Sequence, residues 1–285
     1  MKEKKRIPVI AAVLSLVAPG LGQLYNGQIL KGIILFLAIL VIPTILFLVG
    51  LSSQFLGLAA IFIIAFCLWV FIIAEAFVAA KRKKEVVLKA YNKWYLYLLI
   101  ILLVNGTYFV PRNSTANFAS KVLGFRVYRI PAGSMEPTLL IGDYLIADSK
   151  YFKENKPQRR HLAIMEDPKD PSKDFVKRVI ALEGEKIEIK DKQVYIDDQP
   201  LEESYKVHSD SRVFIREGYY HNGDAIRDNF GPIVVPPGHC FVMGDSRDNS
   251  MDSRWWGPIP LGEIKAKPLY IYWAKDKGRI GKKLS

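Results

Sequence analysis

The sequence predicts N-terminal transmembrane α-helices followed by a mostly-β outer domain. Three observations carry this fold class. From Gly32 to Ala74 no residue is charged. Past residue 120 the pattern changes to short stretches that alternate apolar and polar residues, with Pro and Gly between them. The net charge of +12 is also unevenly spread: residues 1–111 carry 11 Lys/Arg against 3 Asp/Glu, so +8 of it sits beside the apolar stretches. Basic residues gathered there are a topology signal, not a phosphate-binding surface, so no nucleic acid is expected as a partner. The division predicted is residues 1–111 as membrane anchor region and residues 112–285 as outer domain.

A bilayer core about 30 Å thick is crossed by about 20 apolar residues. Residues 32–51 and 55–74 meet that length, and Ser52, Ser53 and Gln54 read as a tight turn between two antiparallel helices. Residues 94–111 form a third span, with Trp94, Tyr95 and Tyr97 at its start and Tyr108 near its end, where aromatic rings suit the two interfaces. The run Lys81-Arg82-Lys83-Lys84, reinforced by Lys89 and Lys93, is expected to stay cytoplasmic. Residues 94–111 then carry the chain outward, and everything after Pro111 is extracytoplasmic. Residues 8–28 fit less well. Their apolar run lasts 11 residues before Pro19-Gly20 breaks it, and crossing would put the cluster at residues 2–6 outside. A re-entrant or interfacial segment is expected, with an additional span as the alternative. No small-residue cleavage site marks the first residues as a removable signal peptide.

In the outer half, residues 186–190 and 193–197 alternate with period two around Asp191-Lys192, which predicts a hairpin. Residues 144–147, 175–181, 213–216, 233–235, 240–243 and 268–273 are further strands, with long loops between 199 and 232 and no strong amphipathic helix. Cys67 lies in an apolar span and Cys240 in the polar half, so no disulfide is expected and each reads as a buried small hydrophobe. His161, His208, His221 and His239 show no i, i+4 pairing and no Cys–His cluster, so no metal site is expected.

Three stretches can carry chemistry. In Ile130-Pro-Ala-Gly-Ser-Met-Glu-Pro-Thr-Leu139, Pro131 and Gly133 force an irregular backbone before Ser134, and Pro137 stops a helix after it. A serine at such a turn can be exposed and firmly held, and an ordinary loop serine fits the same stretch. A hydroxyl needs a base to become a nucleophile. Lys177 lies in the strand-like run Phe175-Val-Lys-Arg-Val-Ile180, where apolar neighbours would disfavour its charged form and leave a neutral amine. The third stretch, residues 244–257, packs three Asp, two Arg, three Ser and an Asn into fourteen residues and ends in Trp255-Trp256-Gly257. It reads either as a solvated polar loop or as an internally hydrogen-bonded loop that braces a site.

Together these stretches resemble the signature boxes of type I signal peptidases, the bacterial-type leader peptidases of the Ser-Lys dyad serine protease family. Residues 130–139 look like the nucleophile box, residues 174–180 like the lysine box, and residues 235–254 like the long third box. Gly142-Asp143-Tyr144 is similar to the segment after the nucleophile, and the likeness covers residues 126–273. The resemblance implies a signal-peptidase-like β fold, with Ser134 as nucleophile and Lys177 as general base. It implies Ser250 as the hydroxyl that orients the lysine, and Asp252 and Arg254 as supports. Tyr128, Ile130, Pro131, Met135, Leu139, Phe175 and Val176 would line shallow pockets for small substrate side chains. Asp174 and Val176 would offer backbone to an extended substrate, adding it as a strand.

The implied reaction is acyl-enzyme cleavage of signal peptides from exported preproteins, with no metal or organic cofactor. The implied partners are those preproteins and the lipid bilayer. The implied location is the cytoplasmic (inner) membrane, multi-pass, with the catalytic domain outside. There are departures. Ala132 stands where some members carry a serine that helps hold the oxyanion, which leaves the backbone N–H of Ser134 for that role. Ser246 stands where Asn is usual, and Arg159-Arg160-His161 replaces an Arg-Gly-Asp turn. The stretch Pro19-Gly-Leu-Gly-Gln-Leu-Tyr-Asn26 is unexplained by proteolysis. Two other classes fit less: a Ser-Lys self-cleaving regulator, which is usually soluble, and a catalytically silent membrane-tethered binding module.

Overall fold

The computed structural model describes residues 3–82, 85–87, 91–105, 124–168, 170–214 and 224–284. The chain forms two compact units, residues 1–123 and 124–285.

In the first unit, α1 (Pro8–Val17) and α2 (Leu21–Tyr25) precede two long helices, α3 (Ile29–Leu48) and α4 (Phe55–Arg82), and α5 (Trp94–Asn105) follows. Pro8 opens α1 at a position where its missing N–H costs nothing. At 1.5 Å per residue α1 is about 15 Å long, half of a bilayer core. Gly20 then takes a left-handed conformation (φ 86°), and a Cβ there would lie 2.4 Å from the Gly32 carbonyl oxygen. The Pro19-Gly20 break thus serves a close approach to α3.

α3 and α4 are both long and apolar enough to cross a membrane. α3 lies three residues upstream of the expected 32–51, because Gly50 at φ 89° ends it and Leu51–Ser53 forms a 3₁₀ turn. α4 runs eight residues past the expected end at 74, since Glu75-Ala-Phe-Val-Ala-Ala-Lys-Arg is rich in strong helix formers. The described part of the third expected span is α5; residues 106–111 lie outside the described residues. The outer faces of these helices stay apolar, as at Leu56, which is 78% exposed. Cys67 is exposed on α4 rather than buried as expected, because it sits on that outer face. Two short strands, β1 (Glu3–Lys5) and β2 (Glu85–Val87), pair antiparallel.

The second unit is built from antiparallel strands. They are β3 (Phe125–Arg129), β4 (Tyr144–Asp148), β5 (Leu162–Asp167), β6 (Asp170–Ala181), β7 (Lys186–Lys190), β8 (Gln193–Ile196), β9 (Gln199–Pro200), β10 (Phe230–Val234), β11 (His239–Met243), β12 (Ile259–Pro260) and β13 (Ile264–Trp273). A seven-stranded sheet runs β12-β11-β6-β5-β13-β4-β3, and a four-stranded sheet runs β10-β7-β8-β9. The hairpin expected around Asp191-Lys192 is β7–β8; both turn residues adopt positive φ, which suits a two-residue hairpin turn. β7 and β8 alternate buried and half-exposed residues, as half-buried strands do.

Three expectations change. Val213 and Phe214 are not in a strand, and residues 215–216 lie outside the described residues. β3 and β5 were not expected as strands. In β5 the run Leu162-Ala-Ile-Met is buried on both faces, so it carries no period-two signal. The segment read as loop from 199 to 232 contains β9, a short helix Asp224–Asp228 and the start of β10. The core between β3, β4, β5 and β13 gathers Ile130, Met135, Leu139, Leu145, Ile164 and Ile271.

Candidate active site

The loop from β3 to β4 holds Ser134. Its ends are tied by Ile130 N–H to Asp143 O at 2.9 Å and Gly142 N–H to Ile130 O at 2.9 Å. Asp143 accepts Arg279 Nη2–H at 2.6 Å and Leu140 N–H at 2.9 Å, while Met135 and Leu139 anchor the loop in the core. Ser134 is left half-exposed on a rigid turn. Among the described residues its N–H donates to no other group.

Lys177 reaches Ser134 from the middle of β6. Register places Lys177 opposite Ala163 of β5, and the neighbouring Arg178 opposite Met243 of β11. Lys177 is only 2% exposed. Its Nζ lies 3.0 Å from Ser134 Oγ and 2.9 Å from Ser250 Oγ. Burial pushes its pKa down to about 8, against the opposing pull of Asp252. A lysine in this state offers a neutral amine far more often than a solvated one does.

Residues 244–254 brace the pair. Ser246 N–H donates to Ser134 O at 3.1 Å, which couples the loop directly to the Ser134 backbone. Gly244 lies beneath: a Cβ there would sit 2.4 Å from Ser134 O and 2.2 Å from Ser250 Oγ. Asp252 is fully buried. Burial would raise its pKa, but Arg254, Lys177 and the Gly244 N–H hold it below the usual carboxylate value. Arg254 clamps both Asp252 oxygens, each at 2.9 Å, and reaches Arg247 O at 2.7 Å. These bonds satisfy a buried ion pair that would otherwise be costly.

A second buried pair lies beside it. Arg178 grips Asp245 through two bonds of 2.8 and 2.7 Å, and Thr138 Oγ1–H donates to Asp245 at 2.6 Å. The Arg178 guanidinium also stacks 4.0 Å over the Tyr205 ring. Sequence reasoning passed over Arg178, Thr138 and Tyr205, because Arg178 and Thr138 meet Asp245 across 67 and 107 residues of chain and Tyr205 joins them only through Arg178.

Beside Ser134 lies a cleft of about 260 Å³, between the chain at 128–135 and β6 at 173–176. Of the residues expected to line it, Tyr128, Ile130, Pro131, Met135, Asp174, Phe175 and Val176 do so. Leu139 does not: it is fully buried in the core, because it turns inward one helical turn after Met135. Arg129, Ile164 and Lys173 also line the cleft. Ile164 gets there by pairing with Val176, which no local pattern announces. Phe175 stacks on Trp256 with ring centroids 5.2 Å apart, which fixes one wall. His161 and His239 take no part in this cluster, and His208 pairs with Asp248 at 3.1 Å.

Residues 93–273 match the family described as "Signal peptidase, peptidase S26". A signal peptidase I of Aquifex aeolicus is 30% identical over 197 residues, covering 52% of this chain and 76% of the relative. A signal peptidase I of Pseudomonas fluorescens is 29% identical over 240 residues, covering 71% and 79%. A probable signal peptidase I-1 of Synechocystis is 35% identical over 160 residues, covering 53% and 74%.

Proposed function

The chain belongs to the signal peptidase, peptidase S26 family, and on that premise we propose that Ser134 and Lys177 are its catalytic dyad, working through an acyl-enzyme. As a family member it is a membrane-anchored serine endopeptidase that removes signal peptides from preproteins. The observation that carries the dyad is the 3.0 Å approach of a buried lysine amine to a half-exposed serine hydroxyl.

The neutral Lys177 amine takes the Ser134 proton as Oγ attacks the scissile carbonyl carbon. Negative charge moves to the carbonyl oxygen, where the Ser134 N–H is free to receive it. The C–N bond then breaks, and Lys177 returns the proton to the leaving amine. The mature protein departs and the signal peptide remains as an ester on Ser134. Lys177 next takes a proton from water as the water oxygen attacks the ester carbon; the ester C–O bond breaks, Lys177 passes that proton to Ser134 Oγ, and the signal peptide leaves with a free carboxyl group. Ser250 holds the amine in line throughout, and Asp252 with Arg254 holds Ser250's loop. Ala132 supplies no hydroxyl donor, so the oxyanion rests on the backbone.

The substrate enters as an extended strand against Asp174 and Val176. Favouring this, β11 pairs with β6 only at residues 178–181, so the same edge of β6 has no partner strand at 174–176 among the described residues. Pro131, Met135, Ile130, Tyr128, Phe175 and Val176 then receive small side chains. We further propose residues 1–111 as a multi-pass anchor in the cytoplasmic membrane and 112–285 as the extracytoplasmic peptidase. The bilayer is then a partner and nucleic acid is not. The decisive experiment incubates the purified chain in detergent with a preprotein and sequences the new N-terminus. Wild type cuts once after the signal peptide; Ser134→Ala and Lys177→Ala do not. Cleavage at full rate by either variant overturns the dyad.

A further inference from the structure

The proteolytic site uses no residue of the first unit, yet that unit buries a polar network among its helices. Gln23 and Asn26 are fully buried. Gln23 Nε2 donates to Ile72 O at 2.8 Å and to Glu75 Oε2 at 2.7 Å, and Asn26 Nδ2 donates to Ala76 O at 2.8 Å. Ser15 Oγ donates to Gln23 Oε1 at 3.2 Å and accepts the Gly22 N–H at 3.1 Å. The other oxygen of Glu75 pairs with Lys31 at the start of α3. Both oxygens of Glu75 are therefore engaged inside the unit. The stretch that proteolysis left unexplained, residues 19–26, is what locks α2 against α4.

The locked residues build a cavity. Gln28, Lys31, Glu75 and Arg82 line its polar part and Phe71 and Val78 its apolar part, around about 520 Å³. Phe71, Glu75, Val78 and Arg82 share one face of α4, so the lining runs along that helix from apolar to cationic over about 16 Å. Two cations face one acid whose oxygens are already taken. Arg82 pairs with no acid among the described residues. Lys31 has three N–H groups and gives one to Glu75. Gln28 Oε1 is buried and accepts no hydrogen bond, which leaves an acceptor waiting for a hydroxyl. The cavity is walled by α3 and α4, the two helices long enough to cross a membrane, so lipid is the molecule at hand.

We propose that this cavity binds the headgroup of an anionic phospholipid. The phosphate sits at Arg82 and Lys31, a headgroup hydroxyl donates to Gln28 Oε1, and an acyl chain follows Phe71 and Val78. Basic pockets between membrane helices suit such headgroups. A zwitterionic headgroup gains less, because its ammonium finds no free carboxylate oxygen on Glu75.

Native mass spectrometry of the full chain in detergent tests this with phosphatidylglycerol, phosphatidylcholine and inorganic phosphate as separate probes. Wild type is expected to retain phosphatidylglycerol over phosphatidylcholine. Arg82→Gln should cut that retention about fivefold, the worth of one basic residue at an anionic membrane surface. Arg82→Lys should restore it, and Lys31→Gln should weaken it in the same direction. Preprotein cleavage in detergent serves as the folding control, since Arg82 lies outside the proteolytic site. Equal retention of the two lipids, or unchanged retention in Arg82→Gln, overturns the proposal. Displacement of the lipid by inorganic phosphate assigns the site to a free anion and overturns it equally.

Discussion

Lys177 Nζ lies 3.0 Å from Ser134 Oγ on a side chain that is almost wholly out of water. The two facts act together. In the proposed dyad, contact gives the amine its proton donor, and burial makes the amine a base near neutral pH. The pKa of Lys177 is lowered to about 8. Only the neutral form accepts a proton, so kcat/KM for preprotein cleavage should fall as pH drops through about 8, by about tenfold per unit below it. A pH profile flat down to pH 6 would remove Lys177 from the role of base.

The same burial costs stability, and its sign can be worked out. The folded-state pKa lies below the unfolded one, so the unfolded chain binds more protons between about 8 and 10.5. Stability therefore rises with pH across that window, and below it the folded state bears the full penalty. Lys177→Met removes the ionisable group at similar length. At pH 7 it should raise the melting temperature in detergent, by roughly 1–3 kcal/mol of stability, with the gain shrinking towards pH 10.5. A melting temperature lower than wild type at pH 7 would show that the bonds to Ser134 and Ser250 outweigh desolvation.

Ser250 touches Lys177 at 2.9 Å, and no bond to Ser134 is made by its hydroxyl. We propose it as a positioning residue. Ser250→Ala should lower kcat about 10²-fold, the cost of an amine free to wander from its reacting partner. KM should change little, because Ser250 does not line the cleft beside Ser134 where the substrate is proposed to enter. Ser250→Thr keeps the hydroxyl and should recover much of the rate. A loss expressed only in KM would contradict the assignment.

The Arg178–Asp245 pair is buried, with side chains 5% and 0% exposed. Asp245→Ala would leave a guanidinium without its carboxylate and should cost about 3–5 kcal/mol. The double variant Arg178→Met, Asp245→Leu should cost less than Asp245→Ala alone. Thermal unfolding in detergent reads both; equal melting temperatures for wild type and Asp245→Ala would refute a structural role.

Much of the architecture was legible in the sequence because the signals are local. A run of uncharged residues from 32 to 74 can only be buried in protein or lipid, so α3 and α4 followed at once, and their exact ends did not. The β7–β8 hairpin was legible because one face is buried and the other solvated. β5 was not, since burial on both faces erases the alternation. Leu139 was misplaced for a related reason: apolar residues in a loop read alike whether they face a cleft or a core.

By itself the sequence determined that a polar loop, a turn serine and a strand lysine existed, and that apolar spans preceded them. Tertiary structure decided that they meet. Ser134 and Lys177 are 43 residues apart in the chain, and Lys177 and Ser250 are 73 apart. Strand register closes those gaps: a slip of one residue along β6 would exchange Lys177 for Arg178, turn the lysine amine towards Asp245 and leave Ser134 without its amine neighbour. The lowered pKa belongs to the fold as well, because desolvation is a property of what surrounds an amine in space and not of its neighbours in the chain.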